Sequence, residues 1–157
     1  MSIPFRSTTS PLSLVVPLAL LLLASANLYA QQPMSISLTG DAEIPPVTTS
    51  AKGTGQITVK PDRTLSGSIK VSGLVPTMAH IHEGAVGKNG PPIITLTQTG
   101  DDSFAVPAGA RLTDAQYTSF TSGNLYINVH SAQYPYGEIR AQLLRTEAAA
   151  TPTRAGY

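Results

Sequence analysis

Histidine occurs three times in this chain: twice in Met78-Ala79-His80-Ile81-His82-Glu83-Gly84, and once at the end of Leu125-Tyr126-Ile127-Asn128-Val129-His130. Both stretches alternate in the manner of a β-strand. Side chains two apart on a strand share a face, so His80 and His82 project together, about 6.5–7 Å apart along the backbone. By the same rule Tyr126, Asn128 and His130 share one face of the second stretch, and Leu125, Ile127 and Val129 share the other. If the fold brings the two strands together, three imidazoles converge. Such a donor set suits copper or zinc. Copper is the first choice, because an all-imidazole site suits Cu(II) and copper heads the affinity order of the divalent ions. Zinc is the second. Met78 lies on the face of His80 and His82, where its thioether is a candidate additional ligand; the alternative is a packing role.

Other polar residues have competing uses. Glu83 faces away from the histidines on a regular strand, and it either orients a ring from outside or pairs with a surface lysine. Arg140 shares a face with Glu138 and Gln142 in Gly137-Glu138-Ile139-Arg140-Ala141-Gln142-Leu143. It is a candidate guide for an anion approaching a nearby metal, or else the partner of Glu138 or a loop carboxylate. Tyr126, Tyr134 and Tyr136 are placed to rim a site or to pack over the end of a sheet.

Several function classes are excluded. No G-x-S-x-G motif occurs, and no serine stands identifiably beside a histidine and a spare carboxylate. Gly84-Ala85-Val86-Gly87 lacks the context and spacing of a phosphate-binding loop. There is no cysteine, so thiolate ligands, thiol catalysis and disulfides are all absent. Ten basic and nine acidic residues fall to nine and nine once Arg6 is set aside with the leader. A neutral domain without a basic, aromatic-lined surface does not suit nucleic acid.

The elements that must position the histidines are short strands. Residues 1–30 read as a signal peptide, with an apolar run from Leu12 to Leu23 and an A-x-A site at Ala24-Ser25-Ala26. Cleavage after Ala26 fits that pattern, and a cut after Ala30 competes with it. The apolar run is short for a spanning helix, so the expectation is a secreted or periplasmic protein with no membrane span after cleavage. Met34 to Arg145 then reads as one domain, and 146–157, rich in Ala, Thr and Pro, as a disordered tail. Alternation predicts strands at 35–39, 55–60, 64–71, 78–83, 93–97, 124–130 and 137–144. The second and third form a hairpin about Pro61-Asp62-Arg63. Glu43-Ile44-Pro45-Pro46-Val47 reads as an extended edge segment, since its prolines cannot donate to a central ladder, and 101–109 reads as irregular. One helix is expected over 113–120, with Thr113 and Gln116 forming a capping box. Seven or eight short strands with frequent Gly/Pro turns indicate an all-β fold, a Greek-key or immunoglobulin-like sandwich or a flattened barrel.

Four motifs in order resemble the CHRD domain family: Leu38–Val47, Ala79–Pro91, Gly123–Ser131 and Gly137–Leu143. Tyr136 stands where that family usually has a small residue, and Ala141 where it often has glycine. The resemblance implies an exported, mostly β domain. A second likeness is shorter: His80-Ile81-His82-Glu83 before a Gly-rich loop looks like the copper-ligand strand of copper/zinc superoxide dismutases, which are also Greek-key β-sandwiches. The further histidines that complete a zinc site in those enzymes are missing. The leading expectation is therefore a binding module rather than an enzyme, holding a metal ion and interacting with an extracellular protein or cell-surface component. A copper-only, dismutase-like oxidoreductase is the alternative, and a metal-free structural module the third reading.

Overall fold

A computed structural model of the chain describes residues 32–145. The expected leader and tail lie outside them. The strands are β1 Met34–Thr39, β2 Lys52–Val59, β3 Leu65–Ser72, β4 Pro76–Glu83, β5 Pro92–Thr95, β6 Thr97–Gly100, β7 Ser103–Ala105, β8 Leu125–Ser131 and β9 Ile139–Gln142, with the helix α1 Asp114–Thr121 between β7 and β8. Among the described residues no helix is long and apolar enough to cross a membrane.

All nine strands belong to one antiparallel sheet in the order β5-β4-β8-β9-β1-β2-β3-β7-β6. Its two ends, β5 and β6, are consecutive in the chain, with only Leu96 between them. The Leu96 amide donates to the Ala79 carbonyl of β4 at 2.9 Å, so the sheet curls into a nearly closed, flattened barrel. The inner face carries the apolar half of each alternation: Met34, Ile36 and Leu38 of β1, Ile57 and Val59 of β2, Ala79 and Ile81 of β4, Leu125, Ile127 and Val129 of β8, and Ile139 of β9. Burial of these side chains is the main favourable term in a domain with no disulfide.

The hairpin β2–β3 forms as expected, with Val59 opposite Leu65. The helix carries the expected cap: the Thr113 hydroxyl accepts from the Gln116 amide and the Gln116 side chain accepts from the Thr113 amide. Two expectations are corrected. Glu43–Val47 pairs with no strand and instead forms a loop after a short 3-10 turn at Gly40–Ala42, consistent with successive prolines that cannot donate. The irregular stretch 101–109 contains β7, whose Phe104 is buried opposite Ile69 of β3. A single buried side chain in three residues leaves no periodicity to read. The neighbouring strand β6 is exposed throughout and equally patternless.

Candidate metal centre

An antiparallel strand with one wet side should be buried on alternate residues. β8 is buried at all seven. Its inner face is apolar and its outer face is Tyr126, Asn128 and His130, each no more than 6% exposed. This outer face is covered by three loops, residues 43–46, 84–91 and 132–137. A polar strand face taken out of water is costly unless its groups find partners, and the partners define the site.

β4 and β8 are adjacent, with Met78 opposite His130, His80 opposite Asn128 and His82 opposite Tyr126. The three imidazoles therefore meet. His80 Nδ1 lies 3.0 Å from His130 Nε2, and one nitrogen from each of His80, His82 and His130 falls within 4.8 Å of the others. His82 Nδ1 donates to the Gly90 carbonyl at 2.9 Å, and His130 Nδ1 donates to the Pro135 carbonyl at 2.9 Å. Each carbonyl fixes the ring and the tautomer and leaves Nε2 unprotonated, that of His130 facing His80 Nδ1, as outer hydrogen bonds do for metal-bound imidazoles. His82 Nε2 is buried and has no hydrogen-bond partner. Burial lowers the pKa of all three rings below the ordinary imidazole value; at His80 the neighbouring His130 and His82 add to it. The rings are thus held neutral, the form that ligates. Ligand nitrogens at about 2.0–2.1 Å from one ion stand roughly 2.9–3.6 Å apart. The His80–His130 approach already fits.

Beside the imidazoles lies a stack. The Tyr126 ring is parallel to His82 at 4.7 Å, and the Arg140 guanidinium lies 3.4 Å from the Tyr126 centroid. Arg140 is 2% exposed. It donates to Asn89 Oδ1 at 3.1 Å, to the Lys88 carbonyl at 2.9 Å and to Gln142 Oε1 at 3.2 Å. Asn89 in turn donates to the Ile44 carbonyl at 2.7 Å, joining two of the covering loops. The expected Arg140–Glu138 pair does not form: Glu138 accepts from Thr49 at 2.7 Å. Glu83, on the opposite face, accepts from Ser119 of the helix at 2.5 Å rather than orienting a ring or meeting a lysine. Met78 is 45% exposed and Tyr136 94% exposed.

Sequence reasoning assigned no role to Glu43. It is 4% exposed, and its pKa is pushed up to about 7, because burial disfavours the carboxylate more than the Arg140 charge and the Asn128 amide favour it. The signal was an acidic residue set against Ile44-Pro45-Pro46, but only the fold reveals that it turns inward. Gly137 has φ +131°, and a Cβ there would meet Glu43 Oε1 at 2.4 Å and Asn128 Nδ2 at 2.6 Å. Glycine is required for the 132–137 loop to close over these two groups.

A pH dependence follows. A carboxyl whose folded pKa lies above its ordinary 4.5 stabilises the fold fully below that value, and the contribution is lost as pH rises through about 7. The loss should be on the order of 2–3 kcal/mol. The histidines act in the opposite sense: with depressed folded pKa values, their contribution is complete above about 6.5 and falls as pH drops below it. Urea denaturation of metal-free protein between pH 4.5 and 8.5 should therefore show Glu43→Gln gaining on the parent as pH rises. A constant difference between the two would refute this burial of Glu43.

Taken together, the chain is an all-β, nearly closed antiparallel module with a three-histidine cluster that could hold a metal ion. A family model for the CHRD domain matches residues 34–143, and the chain belongs to that family. Nothing matches among curated proteins or solved structures.

Proposed function

We propose that this domain is an exported metal-binding module in which His80, His82 and His130 hold one ion, copper in preference to zinc. The observation that carries this reading is the pair of carbonyl-anchored rings, His82 and His130, whose unprotonated Nε2 atoms cluster with the half-buried His80. Copper is favoured by the all-nitrogen donor set and its place in the affinity order. Met78, opposite His130 in register, is the candidate additional ligand. Export rests on the leader-like residues 1–30, with 34–145 as the domain and 146–157 as a tail. An extracellular protein or cell-surface component is the macromolecular partner on this reading.

Binding is favoured over superoxide dismutation by the position of Arg140. A guiding cation must reach solvent to steer an anion. Arg140 is buried under Tyr126 and tied to the 84–91 loop, where it supports the site from beneath. Titration of chelator-treated protein should yield one Cu(II) per chain, bound more tightly than Zn(II). Several weak, unsaturable sites would overturn the reading. Dismutation by the copper-loaded protein should not exceed that of free copper.

A further inference from the structure

The imidazole cluster opens on one side into a cleft of about 410 Å³. His82 and His130 reach it from the floor, and Ile44, Pro45, Pro135 and Tyr136 wall it. A second cleft of about 290 Å³ adjoins it and shares those four wall residues. Two features show what such a mouth would accept. The first is charge. None of the residues lining the larger cleft is a carboxylate, a lysine or an arginine, and Glu43, which lines the adjoining one, is only 4% exposed. An ion on three neutral imidazoles keeps its two positive charges, so its remaining coordination position favours an anion. His82 and His130 both line this cleft, so the position that the three rings leave open on the ion faces it. The second is shape. Tyr126 has no free ring face, since His82 and Arg140 occupy both sides. Tyr136, by contrast, is 94% exposed beside two proline rings. Flat apolar surfaces of this kind pack best against another ring. The volume lies at the lower end for small-molecule sites, enough for one ring and its head group.

We infer that the mouth between the 43–46 and 132–137 loops binds a small planar organic anion, an aromatic carboxylate or phenolate, whose oxygen takes the open position on the ion while its ring packs against Pro45, Pro135 and Tyr136. The inference rests on the metal-binding reading above and adds the ligand class to it. Benzoate and acetate are the probes, since they share a head group and differ in the ring. Calorimetric titration of copper-loaded protein should show benzoate binding at least tenfold more tightly than acetate, and metal-free protein should bind benzoate at least tenfold more weakly. Tyr136→Ala, at an exposed position that the fold does not need, should remove most of the advantage of benzoate and leave acetate unaffected. A parent that holds no ion overturns the metal reading and this one together. A parent that holds its ion but binds benzoate no better than acetate overturns this inference alone. So does an advantage that survives Tyr136→Ala, or benzoate binding that does not depend on the ion.

Discussion

Replacing His82 by alanine is expected to lower copper affinity by more than the roughly 100-fold that loss of an outer hydrogen bond to a ligand can cost. His82 contributes a lone pair whose direction is set in advance by the Gly90 carbonyl, so the ion meets a ring that needs no reorientation. His130→Ala should behave alike, because Pro135 holds that ring in the same way. His80→Ala should also weaken binding severely, but by less. His80 is only half-buried, and its recorded contact is with His130 rather than with a fixed carbonyl. Gln56→Ala, on an exposed position of β2, is the control. Competition titrations of the variants with Cu(II) test this ranking, and urea midpoints of the metal-free proteins separate lost ligation from lost folding. Equal affinity across the parent and all three histidine variants would show that the ion binds elsewhere.

Arg140→Ala should be among the most destabilising single changes on this face of the sheet, by about 3–5 kcal/mol at pH 8. The substitution removes hydrogen bonds to Lys88, Asn89 and Gln142, uncovers the Tyr126 ring, and leaves Glu43 without the positive charge that lowers its pKa. That last loss gives the prediction a direction in pH. With the guanidinium gone, the folded pKa of Glu43 rises further, so the deficit should grow as pH rises through about 7 and shrink near pH 5, where the carboxyl keeps its proton. Arg140→Lys should restore part of the pH-dependent component, because it returns the charge. It should not restore the rest, because an ammonium lacks the planar fork that bonds three acceptors and stacks on a ring. Urea denaturation of the three proteins at pH 5 and pH 8 measures both effects. A deficit under 1 kcal/mol at both values would mean that the guanidinium does not hold the 84–91 loop.

The alternating residues made much of this readable in advance. β1, β4 and β8 follow directly from period-two patterns such as Leu125-Tyr126-Ile127-Asn128-Val129-His130, and the helix from its Thr113–Gln116 cap. Alternation is a local property, dictated by the pleat of a single strand, so no knowledge of neighbours is needed. It also placed His80 with His82, and Tyr126 with Asn128 and His130. β6 and β7 were not legible, because they are held by pairing with β3 and with each other rather than by any pattern of their own.

The pairing of β4 with β8 is a tertiary matter. Forty-odd residues separate the two strands in the chain, and nothing in either stretch dictates that His80 and His82 should lie beside His130 rather than at the far end of the sheet. Nor does any local pattern reveal that the polar face of β8 is roofed by three loops. A sequence expresses the amphipathic alternation of each strand. Only the packed chain determines whether the polar side meets water or protein, because that depends on which loops fold back over it. Here they do, and the same enclosure raises the Glu43 pKa, lowers those of the histidines and turns Arg140 from a surface charge into a buried support.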